Sequence, residues 1–119
     1  IVPTLTEEQK RFVYAEEADV LNVALFGMTA KEWRENNPEL AKNGNIRDYT
    51  DLLHLVILSN LETINASLIS DNVPQGERLI KLNNNARMQM EALRNNKNIK
   101  DLELLQQQIN NDKLLIENK

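Results

Sequence analysis

Apolar positions along the chain fall into helical spacings, and the densest lies in the middle. From Tyr49 to Asp71, Leu52, Leu53, Leu55, Val56, Ile57, Leu58, Leu61, Ile64, Leu68 and Ile69 cover well over half of a helix circumference. Polar Ser59, Asn60, Glu62, Thr63 and Asn65 are left for the exposed strip. A helix this apolar packs on more than one side, so it is read as the core helix. After Asp71-Asn72-Val73-Pro74 breaks the chain, Leu79, Leu82, Ala86, Met90 and Leu93 recur at threes and fours, with Ile80 beside them. That spacing predicts an amphipathic helix packed on the core helix. The asparagine-rich stretch from Asn95 to Asn98 interrupts the pattern, because Asn competes for local backbone hydrogen bonds. Helical spacing then resumes at Ile99, Leu102, Leu105, Ile109 and Ile116, with Asp112 standing where an apolar residue is due.

Capping signals organise the N-terminal part. Thr6 with Gln9, and Thr29 with Glu32, read as capping boxes. The first opens a helical segment with Phe12, Val13, Val20, Leu21, Val23 and Ala24 as its apolar stripe, divisible into two near Tyr14 and stopped by Gly27. The second opens a short helix carrying Trp33, and Pro38 opens a further turn through Leu40 and Ala41. Residues 43–48, NGNIRD, form a connector; without alternating β-branched residues beside it, Asn-Gly does not make a hairpin. The expected fold is all-α: a single domain of four to five helices around the central apolar helix at about 49–71. Residues 1–94 are the helical domain. Residues 95–119 are a C-terminal amphipathic helix, packed on that domain or used in dimerisation.

Composition narrows the function. Three Gly and three Pro in 119 residues are too few for a many-turned β-fold. Eighteen acids against fourteen Lys plus Arg give a net charge of −4, which argues against this segment gripping phosphates itself. The absence of cysteine removes disulfides, thiol nucleophiles and thiolate metal sites. No uninterrupted apolar run reaches the ~18 residues of a membrane span, so no membrane association is expected and the chain is read as cytoplasmic. It opens with Ile1 rather than Met, which suggests part of a longer protein.

Candidate chemistry is sparse. His54 is the only histidine, and Asp51 three residues earlier makes a D-x-x-H pair. A helical dimetal site needs a second such motif, so a helix-end histidine bonded to a local acid or backbone is the preferred reading. Glu16, Glu17 and Asp19 cluster, but adjacent helical residues diverge by ~100°, and a solvated face or a salt bridge to Arg11 or Arg34 fits better than an acid–base pair. Ser59, Ser67 and Ser70 lack a nucleophile-elbow context, and no glycine-rich phosphate cradle is present. Trp33 is read as a core side chain rather than a partner anchor, and Arg47–Asp48 as a loop-ordering ion pair. No enzyme, cofactor or metal is expected, and no small-molecule substrate is evident. The feature suited to interaction is the C-terminal stripe, with Leu102, Leu105, Ile109 and Ile116 as candidate oligomer interface, since an exposed apolar stripe must be buried somewhere.

The order of several blocks is distinctive. They are LT at Leu5-Thr6, YAEEADVLNVALFG at Tyr14–Gly27, TAKEWRE at Thr29–Glu35, GNIRDY at Gly44–Tyr49, LSNLE at Leu58–Glu62 and ERLIKLN at Glu77–Asn83. From Ile1 to about Leu93 the chain resembles the C-terminal helical region of KilA-N domain proteins, a bacterial family associated with phages and mobile elements. The resemblance implies a DNA-binding parent protein whose KilA-N domain lies upstream and is absent here, so no DNA-contacting residue carries over. The first expectation is therefore a non-catalytic interaction and oligomerisation module. Its partner would be a second copy or another domain of the parent, with DNA held through the missing upstream domain. The alternatives are direct DNA contact through Lys10, Arg11, Lys31 and Arg34, and a small metal-dependent or hydrolytic enzyme built on His54 and Asp51.

Overall fold

Local capping divides the chain more finely than hydrophobic periodicity does. In the computed structural model, backbone is described for residues 1–95 and 97–117, and side chains for the same residues except 97–100, 102 and 114–117. Thr6 and Gln9 close a reciprocal cap on α1 (Glu7–Arg11), which ends after one turn at extended Phe12. Helix α2 (Glu17–Phe26) stops at Gly27, whose φ of 75° is the left-handed conformation that Gly adopts without steric cost. Thr29 and Glu32 cap α3 (Ala30–Asn36), and Pro38 begins the single turn α4 (Pro38–Ala41). A 3-10 turn, Ile46–Tyr49, is capped by Asn45. Asp51 caps α5 (Leu52–Ser70), Pro74 precedes α6 (Gln75–Arg94), and α7 spans Lys97–Glu117.

The fold is all-α and a single domain, as expected, with no strand among the described residues. Seven α-helices are described where four to five were expected, because the N-terminal segment splits at Phe12 and the turns from Ala30 to Ala41 form two short helices.

Helices α2, α5 and α6 pack on one another and hold the core. Val20, Val23, Ala24 and Leu25 of α2 meet Ile57, Leu58 and Leu61 of α5 and Leu79, Leu82 and Ala86 of α6, all 2% exposed or less. Each large aliphatic among them contributes about 1.5–3 kcal/mol relative to remaining in water. Helix α5 has the length and mean hydropathy (1.5) of a membrane-crossing helix, and here it serves as the central core helix. Two expectations are corrected. Phe12 and Val13 are exposed at 57% and 79%, since the chain leaves the helix there and turns them off the core. Asn65, assigned to the exposed strip, is buried, because it completes the polar junction described below.

The N-terminal segment is fastened over this core. Val2 and Leu5 are buried in it, and buried Asn83 donates from Nδ2 to the carbonyls of Pro3 and Ala24, each at 2.9 Å. Gln9 donates to the Gly27 carbonyl at 3.0 Å. Trp33 is buried as expected, though outside the main cluster, stacked on Tyr49 of the 3-10 turn.

Candidate functional site

Asp51 and His54 meet at the start of α5. Asp51 Oδ1 accepts from the His54 backbone amide at 2.8 Å and lies 2.6 Å from His54 Nδ1. One carboxylate thus caps the helix and orients the imidazole, whose other constraint is a stack on Phe26 at 5.7 Å. Partial burial pushes the Asp51 carboxyl up. Hydrogen bonds from the His54 amide and ring, with nearby positive charge, outweigh that and hold it below its ordinary value. The pair opens into a cleft of about 310 Å³ shared with Leu53, Met90, Arg94 and Glu103. Among the described residues, no group of three or more His, Asp or Glu could hold a metal. Ser59, Ser67 and Ser70 are exposed further along α5.

The acidic cluster of α2 does something other than expected. Glu17 pairs with neither Arg11 nor Arg34. Both of its oxygens accept from Arg78 Nη2, at 2.8 and 2.7 Å, and Oε1 also accepts from Asn65 at 3.0 Å. Arg78 donates from Nε to Asn65 Oδ1 at 3.1 Å and from Nη1 to the Val73 carbonyl at 2.7 Å. Gln75 joins the group by exchanging two 2.8 Å hydrogen bonds with the Tyr14 backbone. Partial burial raises the Glu17 carboxyl, but its bonds from Asn65, Arg78 and Gln75 and the guanidinium charge bring it below its ordinary value. With every nitrogen of the guanidinium group bonded within the fold, this is a junction between helices rather than a ligand site. Arg78 and Asn83 were legible only as polar residues standing on the buried face of α6, at helical spacing from Leu82, Ala86 and Met90. Asp19 accepts from the Ala30 amide at 3.3 Å, and Glu16 is exposed.

Arg47 and Asp48 are not the expected pair. Asp48 accepts from the Asn45 amide at 2.8 Å to close the 3-10 turn, and Arg47 reaches Glu62 of α5 at 3.0 Å. The cations considered for direct DNA contact fall on two helices. Lys10 of α1 is paired to Glu7 at 3.1 Å, and Lys31 and Arg34 of α3 alternate with Glu32 and Glu35.

Helix α7 touches α5 and α6. Glu103 and Gln106 are half-buried there, whereas every residue from Gln107 to Lys113 is exposed. Of the candidate interface, Leu105 and Ile109 are 55% and 42% exposed, with Leu104 beside them at 63%. Leu102 and Ile116 belong to α7 by backbone, and their side chains lie outside the described residues. Next to the root of α7, a groove of about 1060 Å³ runs between the N-terminal segment and the outer face of α6. No protein-family model, curated protein or solved structure matches this chain.

Proposed function

We propose that this chain is a non-catalytic helical module that self-associates through α7, as the C-terminal part of a KilA-N-type DNA-binding protein of the bacterial cytoplasm. The observation that carries the reading is the row of exposed Leu104, Leu105 and Ile109 on a helix whose 107–113 stretch is exposed throughout. Burial of such side chains contributes about 25 cal/mol per Å² of apolar area, so the row favours association. Joining two copies makes the second DNA contact of a parent dimer intramolecular, a gain of about 10²–10⁴ in avidity without any new contact. The net charge of −4 suits a module that leaves phosphate contacts to another domain.

Light scattering on the chain at high micromolar concentration tests this. The expected result is a dimer or higher oligomer that Leu105→Asp converts to monomer. A strict monomer, unchanged by Leu105→Asp, overturns the proposal.

A further inference from the structure

Burying the α7 stripe requires a complementary surface, and the molecule offers a specific one. The groove beside α6 is lined by Val2, Thr4, Arg87, Met88, Glu91 and Arg94 among others. Met88 stands 68% exposed on it, while Val2 and Met90, which also line it, are buried in the core. The groove reaches Asn95, the cap that ends α6 just before α7 begins at Lys97, so it ends at the root of α7.

Charge favours the match. Helix α7 carries Asp101, Glu103, Asp112 and Glu117 against Lys97, Lys100 and Lys113, and its lysines lie outside the 101–112 stretch that holds Leu105 and Ile109. The groove carries Arg87 and Arg94 against Glu91, and among the described residues neither arginine forms an ion pair.

Heptad register argues against a parallel pairing of two α7 helices. With Leu102 and Ile109 at a, Leu105 takes d and Asp112 takes the next d. In a parallel α7–α7 pair, Asp112 would be pressed against its own copy, a like-charge contact that destabilises the pair. Beside a guanidinium the same carboxylate is stabilised.

Resting on the self-association proposed above, we infer that each α7 seats in the α6 groove of a second copy, with Leu105 and Ile109 against Met88 and the exposed Asp101 and Asp112 facing Arg87 and Arg94. The exchange is two-fold and reciprocal, so each chain gives one helix and receives one. At 1.5 Å per residue α7 is about 31 Å long. Two such seats bury twice the area of one, toward the ~1,600 Å² of a standard interface.

The natural lack of cysteine gives a clean test. Met88→Cys and Leu105→Cys chains, both altered at exposed positions, are mixed and mildly oxidised, with helicity checked by circular dichroism. The expected product is the mixed 88–105 dimer, about tenfold over either like-with-like product, and Arg87→Glu with Arg94→Glu weakens association by about tenfold or more. If light scattering shows a dimer but 105–105 links dominate, the groove is overturned and self-association through α7 stands. If Met88→Cys/Leu105→Cys in one chain closes within that chain, α7 covers its own groove and the inference is overturned. A monomer in every measurement overturns both proposals.

Discussion

Arg78 and Glu17 lie 61 residues apart in sequence and meet at 2.7 Å, one guanidinium nitrogen reaching both carboxylate oxygens. Asn65 bonds to both partners, so α2, α5 and α6 share a single polar junction. Apolar packing is non-directional, and a helix can slide or rotate against its neighbours at modest cost. A satisfied polar junction favours one geometry, and displacing the helices breaks the hydrogen bonds of buried Asn65 and Arg78. Among the described residues no buried side-chain nitrogen or oxygen lacks a hydrogen-bond partner.

Replacing Arg78 therefore tests the junction. Arg78→Met keeps most of the side-chain volume but strands Asn65 and the Val73 carbonyl. The expected loss is about 2–3 kcal/mol by urea unfolding, below the range for a fully buried pair because Glu17 is 43% exposed. Lys81→Met, which removes an exposed pair with Glu77, is expected to change stability by less than about 0.5 kcal/mol.

The two perturbed carboxylates set the acid limb of stability. Glu17 and Asp51 both titrate below their ordinary values in the folded chain. The unfolded chain therefore takes up protons first as pH falls. Their contribution is complete above the ordinary carboxylate range of about 4 and is lost as pH drops through the lower folded values. Urea midpoints measured from pH 7 to pH 2.5 should fall on the acid side. Glu17→Gln with Asp51→Asn should flatten that fall, since Asn still caps the helix; an unchanged slope would exclude both groups as its source.

Gly27 tests how the N-terminal segment is held. A Cβ there would lie 2.8 Å from Pro3 Cγ, on a backbone whose φ is already +75°. Gly27→Ala is expected to cost at least about 1–2 kcal/mol from the left-handed conformation alone. The clash should also lift Pro3 and loosen the hydrogen bond from Asn83. Amide exchange at Gln9 and Lys10, whose amides are bonded to Thr6, should rise more than at Leu61 of the core helix.

Much of the fold was legible without coordinates. The capping pairs Thr6–Gln9 and Thr29–Glu32, the stop at Gly27 and the central helix all follow from local rules, since a cap is satisfied within four residues and a stripe declares its own face. The Asp51–His54 bond was legible for the same reason, lying within one turn. The exposure of Phe12 and Val13 was not, because the same letters suit a stripe or a linker until the helix ends.

The partners of charged side chains were legible least. Glu17 could be read as reaching Arg11 or Arg34, and Arg47 as bonding Asp48, because proximity in sequence was the only guide. Sequence by itself determined that the chain is helical, the capped starts at Thr6 and Thr29, the stop at Gly27, and that α7 carries an apolar row broken by Asp112. Only the tertiary structure decided that Arg78 closes on Glu17, that Asn65 is buried, and that the groove by Met88 adjoins the root of α7. The reason is range. Helices and caps are settled by neighbours a few residues away, whereas ion pairs and grooves between helices depend on how separate helices dock.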